Sequence, residues 1–467
     1  MARTLIGSLR EHIETEITIE AWVDVARDQG KMAFFDFRDR SGKVQGVVFG
    51  KPDVLEIAKT LRSEWVVRVT GIVHARPEKM VKADVLNGDI EIEITGIEVL
   101  SDAQTLPFDI TSDTAGIDEQ VRLKYRYLDL RSARMQENLK VRSEFIRYCR
   151  EHLFANDFTE IETPLLSQST PEGSRDFVVP SRHSPGKFYA LPQSPQQYKQ
   201  LLMVGGFERY FQIAKCLRDE DLRADRGFEF SQVDIEMAHV TQEDVMSMVE
   251  NMVIAAAEKM GRTIRQKPFP RITYKEAMEK YGADKFDMRT EEEKATGVLA
   301  YAWVIDFPFF EKTDDGKWTF THNPFSMPKP EHLAHHLSGE NIGDILTTQY
   351  DLVCNGYESG GGSIRAHRPE ILRATYKNMG YSDAEIDASV GHILEAFTYG
   401  TPPHGGIALG VERNVMNLTN EKYVREVQAF PMTRSGQTAV MQAPTELSAE
   451  QLTELGLLIN KKPKAEG

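Results

Sequence analysis

The sequence predicts an α+β protein built from an N-terminal OB-type β-barrel and a larger body in which an antiparallel sheet is flanked by helices. Three observations carry this. Residues 1 to about 105 alternate apolar and polar side chains at period two, the mark of half-buried strands. From Val121 the spacing of apolar residues becomes helical, as in Arg142–Phe154. Two arginines, Arg218 and Arg413, then sit in strand-like, glycine- and carboxylate-rich surroundings far apart in the chain.

The period-two runs include Gly46–Phe49, Val66–Ala75 and Asp89–Val99. Several short strands of this kind close most simply into a small barrel, with a generic β-domain as the alternative. Phe34, Asp36 and Arg38 share one strand face, and an aromatic plate beside polar groups suits unpaired bases. Residues 106–135 are turn-rich and read as a hinge. Residues 136–450 form the helix-and-sheet body, and 451–467 form a tail expected to be disordered from Asn460 onward.

A chain of 467 residues exceeds one simple core, and 41% hydrophobic with 27% charged residues is ordinary for a soluble protein. No apolar run approaches the roughly 18 residues of a membrane span, and the N-terminus lacks a signal-peptide pattern. Cys149, Cys216 and Cys354 are isolated from one another, which argues against a disulfide framework and fits a reducing cytoplasm. The net charge of −15 excludes a histone-like nucleic-acid binder, so RNA contacts must be local patches. His332, His335 and His336 lack the zinc-protease spacing and read as a solvated helix face.

Arg218 and Glu220 occupy one face of a strand. The chain crosses a charged loop and returns with Phe230, Gln232, Asp234 and Glu236 on one face. Such a hairpin suits ATP: Arg218 for the α-phosphate, Phe230 to stack on adenine, Glu220 to accept from the exocyclic amine. The alternative is an exposed hairpin face laced with salt bridges. Ser194-Pro195-Gln196-Gln197 reads as a helix start, with Ser194 as N-cap and Gln197 closing a capping box. Gln196 and Lys199 share a face of that helix. Gly410-Val-Glu-Arg413 opens a second helix, Val411 to Leu418. No Walker or dinucleotide-binding loop is present.

Phe211–Arg226 and Gly405–Arg413 resemble motifs 2 and 3 of a class II aminoacyl-tRNA synthetase. Tyr210–Glu236, the Leu191–Met203 block and Gly356–Arg365 resemble the bacterial-type aspartyl enzymes, with the match running from the barrel to about Pro444. The resemblance implies an antiparallel class II catalytic sheet and an anticodon-binding barrel. It implies an ATP site of Arg218, Asp219, Glu220, Phe230, Glu358, Gly410, Val411, Glu412 and Arg413, with Arg218 and Arg413 as the catalytic clamps. It implies an aspartate site of Glu172, Ser194, Gln196, Lys199, Asp234, His322 and Arg365. Asp351 and Glu358 would hold Mg²⁺, and Arg27, Phe34 and Gln45 would contact the anticodon. The implied partners are L-aspartate, ATP and tRNA-Asp, with tRNA-Asn as a further acceptor, in a cytoplasmic homodimer that has no membrane association.

The chain departs from the family pattern in four places. Asn323 stands where a second histidine is usual, Gly227 where a glutamine is common, and Asp24-Val-Ala where arginines precede Arg27. A domain of roughly a hundred residues is usual between motifs 2 and 3. Here a short connector at about 285–300 replaces it. The rival readings are an asparaginyl or lysyl synthetase, an aspartate-activating paralogue that charges no tRNA, and a non-enzymatic RNA binder.

Overall fold

The computed structural model describes residues 3–83, 85–169 and 173–460. It divides into two units, one ending at Ser112 and the other beginning at Asp113. Glu172 and the tail from 461 lie outside the described residues. No helix among the described residues is long and apolar enough to cross a membrane.

In the first unit, β1 (Glu16–Asp28), β2 (Met32–Asp39), β3 (Gly42–Phe49), β4 (Val66–Ala75) and β5 (Ile90–Ser101) form a closed barrel in the order β1-β2-β3-β5-β4. Helix α1 (Pro52–Thr60) joins β3 to β4. Alternation decides what faces inward: Ala33, Phe35 and Phe37 are buried, whereas Phe34, Asp36 and Arg38 face out. Closure leaves no long strand edge unpaired, which protects so strand-rich a segment from edge-to-edge association.

The second unit is built on an eight-stranded sheet. Its strands are β6 (Thr159–Glu160), β7 (Arg209–Leu217), β8 (Glu229–Ala238), β9 (Arg271–Thr273), β10 (Tyr301–Ile305), β11 (Gln349–Cys354), β12 (Tyr357–Ile364) and β13 (His404–Gly410). Their order is β9-β10-β11-β12-β13-β8-β7-β6. All neighbours are antiparallel except the outermost pair at each end. Helices α2 (Ala133–Ala155), α3 (Gln196–Val204), α4 (Gln242–Lys259), α5 (Tyr274–Tyr281), α6 (Glu291–Ala295) and α7 (Val411–Thr419) surround it. The main core joins one sheet face to three of these helices. Val233, Ile235, Leu352, Ile407 and Leu409 pack with Phe145, Cys149, Val249, Val253 and Val415. Burying that apolar face obliges the alternate side chains of β8, β11 and β13 to point to the opposite side.

The expected hinge at 106–135 differs from what is found. Residues from Asp113 onward are folded into the second unit through a buried charge cluster. Arg122 donates to Glu426 at 3.0 and 2.8 Å, Arg134 donates to Glu426 at 2.9 Å, and Arg126 pairs with Asp129. Arg126 also donates to the carbonyls of Arg425 and Gln428, each at 2.8 Å. Buried arginines so fully bonded fix the segment.

The connector between motifs 2 and 3 contains one five-residue helix, α6, opened by a capping box in which Thr290 and Glu293 exchange bonds. The acidic run 291–293 thus occupies a helix N-terminus, where the dipole favours it.

Candidate active site

The sheet face opposite the core is a cleft. Its lining contains Arg218, Glu220, Phe230, Asp234, Ser194, Gln196, Lys199, His322, Glu358, Arg365, Gly410, Glu412 and Arg413. Thus the segment that follows β7, strands β8, β12 and β13, helix α3 and the start of α7 converge on it, although their residues span more than two hundred positions.

One half of the cleft is buried and internally paired. Lys199 Nζ lies 2.7 Å from Asp234 Oδ1 and 3.1 Å from Glu236 Oε2. Arg365 donates from Nε to Glu236 Oε1 at 2.9 Å and from Nη2 to Glu236 Oε2 at 3.2 Å. It also donates to Ser363 Oγ at 3.0 Å and to the Gly406 carbonyl at 3.3 Å. Glu236, placed by the alternation on this face but given no role there, is therefore the hinge pin of the cluster. Burial opposes its charge, yet Arg365 and Lys199 outweigh burial and hold its carboxyl down to about 2. Burial raises Asp234 above the usual carboxylate range despite Lys199.

Gly406 makes this packing possible. A Cβ there would lie 2.0 Å from the Ile235 carbonyl and 2.2 Å from Glu236 Oε2. Beneath the cluster, His404 Nδ1 faces the Pro402 carbonyl at 2.8 Å and its Nε2 faces Gln200 Nε2 at 3.2 Å. Nδ1 therefore carries the proton and Nε2 accepts. Burial lowers this histidine to about 4.

The cluster is not saturated. Arg365 has five N–H groups and Lys199 three. Among the described residues, hydrogen bonds occupy four N–H groups of Arg365 and one of Lys199, whose ammonium also pairs with Glu236, so each cation keeps at least one N–H. Asp234 Oδ2 is buried with no partner among the described residues. The pocket thus offers two cationic donors and one anionic acceptor to a small ligand.

The other half is looser. The Arg218 guanidinium lies over the Phe230 ring, 5.0 Å from its centroid, and Nε donates to the Gln193 carbonyl at 3.3 Å. Arg413 contacts Asp225 at 3.1 Å, Glu358 Oε2 at 3.7 Å and the Glu358 carbonyl at 3.2 Å. Both arginines are only partly buried. Burial opposes the charge of Glu358, but Lys285 and Arg413 outweigh it and hold that carboxyl to about 2.

The acids expected to hold Mg²⁺ fit that task. Asp351 Oδ1 accepts from Gln349 at 2.8 Å, while buried Oδ2 has no partner among the described residues. A Cβ on Gly361 would lie 3.0 Å from Asp351 Oδ1 and 3.3 Å from Glu358 Oε1. The glycine thus keeps room beside two carboxylates, and oxygen ligands suit a hard cation. His322, expected at the substrate amine, packs edge-on to Phe307 and groups with Asp284 and Asp351. It therefore stands beside these acids. Asp284 and Lys285 carried no local sequence signal.

Other expected residues differ in their surroundings. Asp219 is outside the cleft lining; its amide bonds the Arg175 carbonyl and its carboxylate lies 3.7 Å from Arg175. Val411 is buried in the core. Glu412 lines the cleft, but its oxygens accept from Arg142 at 2.8 Å and from the Ser231 amide at 3.0 Å. Helix α3 begins at Gln196, whose amide bonds Ser194 Oγ at 3.3 Å. Gln197 closes no capping box and instead bonds His392. Asn323 accepts from the Phe325 amide at 3.0 Å, a local turn. Gly227 lines the cleft.

On the barrel, Arg27 is paired across β1 and β2 with Phe34, and Asp36 across β2 and β3 with Gln45. Directly opposite residues share a face, so the expected base-contact residues lie together. Arg27 bonds Asp36 at 3.0 Å, and Gln45 accepts from Arg76 at 2.8 Å. Asp24 is held by Arg38 at 2.9 Å and Lys43 at 2.7 Å.

Comparison with known proteins agrees with this geometry. Residues 118–434 match the tRNA synthetases class II (D, K and N), and residues 17–100 match the OB-fold nucleic acid binding domain. An aspartate–tRNA(Asp/Asn) ligase of Corynebacterium jeikeium is 38% identical over 99% of this chain and 98% of its own. One from Chlorobaculum parvum is 38% identical over 95% and 94%. The first alignment runs over 597 positions against the 467 residues here, so 130 or more positions of that relative have no counterpart inside this chain.

In fold, an asparaginyl-tRNA synthetase of Pyrococcus horikoshii matches with a TM-score of 0.74 at 24% identity, covering 93% of this chain and 98% of its own. An aspartyl-tRNA synthetase of Entamoeba histolytica matches at 0.73 and 24%, covering 92% and 91%. With a family match from 118 to 434 and 38% identity along nearly its whole length, the chain belongs to the class II tRNA synthetases of the D, K and N group, in a form shortened within the chain.

Proposed function

We propose that this protein is an aspartate–tRNA ligase that activates L-aspartate with ATP and transfers the aspartyl group to tRNA-Asp, with tRNA-Asn as a second acceptor. The observation that carries the reading is the pair of buried cations, Lys199 and Arg365, each with at least one N–H left over among the described residues. A side-chain carboxylate has two oxygens for those two donors. The unpartnered Asp234 Oδ2 suits the substrate ammonium. An asparagine amide would supply one acceptor and one NH₂, leaving a cationic donor unmatched, which is costly in a buried site.

Adenylation then needs positioning and charge stabilisation more than a protein nucleophile. An oxygen of the aspartate α-carboxylate bonds to the α-phosphorus, the bond to the β-phosphate oxygen breaks, and pyrophosphate leaves. Arg218 stabilises charge growing on the α-phosphate, Phe230 stacks on adenine, and Arg413 binds the terminal phosphate. Mg²⁺ held by Asp351 and Glu358 would neutralise polyphosphate charge. In the second step a ribose hydroxyl at the tRNA 3′ end attacks the activated carbonyl and AMP leaves. Phe34, Gln45 and Arg27 would contact the anticodon. The reading includes a homodimer acting in the cytoplasm, and analytical ultracentrifugation showing monomer alone would contradict the dimer.

Aspartate-dependent ATP–pyrophosphate exchange by the purified protein tests the first step. Exchange with asparagine alone would sink the assignment. Charging of tRNA-Asp and tRNA-Asn transcripts tests the second step and separates a ligase from a paralogue that activates aspartate only.

A further inference from the structure

The segment immediately after α5 is held over the metal-site acids by three separate constraints. Gly282 ends α5 in the left-handed region, with φ 71°. Phe286 is buried beside Ala277, Ala302 and Phe307. The Gly356 amide donates to the Phe286 carbonyl at 3.0 Å, which ties the segment to the turn between β11 and β12. That turn leads directly into Glu358.

Lys285, one residue before the anchored Phe286, therefore stands over Glu358 by construction. Its Nζ is 3.1 Å from Glu358 Oε2 and 3.9 Å from Asp284 Oδ2. Asp284, His322 and Asp351 each offer a ligand atom within 4.8 Å of the others. Three carboxylates thus share a small space beside one ammonium. Arg413 flanks Glu358 at 3.7 Å but is also engaged by Asp225 at 3.1 Å.

We propose that Lys285 is a displaceable internal cation, occupying the carboxylates of Asp284 and Glu358 until a divalent cation takes its place. The inference rests on the reading of Asp351 and Glu358 as the Mg²⁺ site. Carboxylates crowded in a half-buried space repel one another and need a counter-charge to stay ionised. A lysine suits a temporary occupant, being a point charge on a flexible stem. Its side chain is 34% exposed, so it has a route to water. A divalent cation placed on the same oxygens meets that charge and must drive it out. Lys285 therefore weakens binding of metal alone and keeps the acids ready for metal that arrives with nucleotide.

The whole protein, stripped of metal and without nucleotide, is titrated with Mn²⁺ while the free-ion electron paramagnetic resonance signal is followed. Lys285→Met and Lys285→Gln should each bind Mn²⁺ about tenfold more tightly than the parent, from loss of a unit charge at this distance. Lys285→Arg, which keeps the charge, should stay within about twofold of the parent. Equal or weaker binding by both neutral variants, with parental Mn²⁺ uptake abolished by Asp351→Asn, overturns the role of Lys285 and leaves the metal site standing. No Mn²⁺ uptake by parent or any variant overturns the metal site and this inference together.

Discussion

The two halves of the cleft, proposed to take the amino acid and the phosphates, hold their charges differently. In the first, Lys199, Asp234, Glu236 and Arg365 are buried and bonded mainly to one another. In the second, Arg218 and Arg413 are partly exposed, and their contacts are backbone carbonyls, an aromatic ring and half-buried acids. A buried network rigidifies and selects by shape and charge, whereas half-solvated arginines can reorganise around a large anion. On the proposed function, selection of the amino acid is built into the fold, while the nucleotide completes its own site.

The largest expected effect comes from breaking the buried half. Arg365→Met should cut aspartate-dependent exchange about a thousandfold. It should also cost about 3–5 kcal/mol of folding stability, because Glu236 is left buried and less paired. Urea unfolding beside the exchange assay checks both. An unchanged unfolding midpoint would remove the contrast between the halves.

Arg218→Ala comes next. Exchange should fall about a hundredfold, while stability changes by about 1 kcal/mol or less, since one carbonyl bond is lost. A large loss of stability would show that the phosphate half is also built in.

A smaller effect separates the halves by pH. His404, buried under the amino-acid cluster, titrates at about 4 in the fold against 6.5 for the ordinary side chain. The unfolded chain therefore binds more protons between those values, so stability falls as pH drops through that window. The whole contribution is about 3 kcal/mol. Unfolding free energies measured across the window should show the slope in the parent, and His404→Gln should flatten it. Equal slopes in the two would deny the histidine this part.

The smallest effect is expected at Asp219→Ala. Its carboxylate faces the exposed Arg175, so exchange should stay within about threefold of the parent. A hundredfold loss would bring Asp219 back into the nucleotide site.

Much of this was legible in the chain because strand alternation is local. Phe230, Gln232, Asp234 and Glu236 fall on one face by period alone, and the barrel face of Phe34 and Asp36 follows likewise. The importance of Glu236 was not legible. Its partner Arg365 is brought in by β12, with β13 between, and sheet order is a non-local property. Asp284 and Lys285 lie in an irregular segment whose position depends on Phe286 burial and the β11–β12 turn. The surroundings of Asp219 were not legible either, because its backbone bond is to Arg175, more than forty residues earlier. The packing of the expected hinge into the second unit from Asp113 onward was not legible for a related reason. The partner that buries Arg122 is Glu426, which stands 304 residues away.

That last contact has a consequence for synthesis on the ribosome. The barrel strands end at Ser101, so the first unit has its full set of partners while most of the chain is still unmade. The second unit begins at Asp113, yet Arg122, early in it, waits for Glu426, which stands 304 residues later. Buried cations without their counter-charge stay solvated. The nascent second unit thus remains open until Glu426 has been made, and a chain stopped just short of Glu426 would carry a finished barrel on an unclosed body.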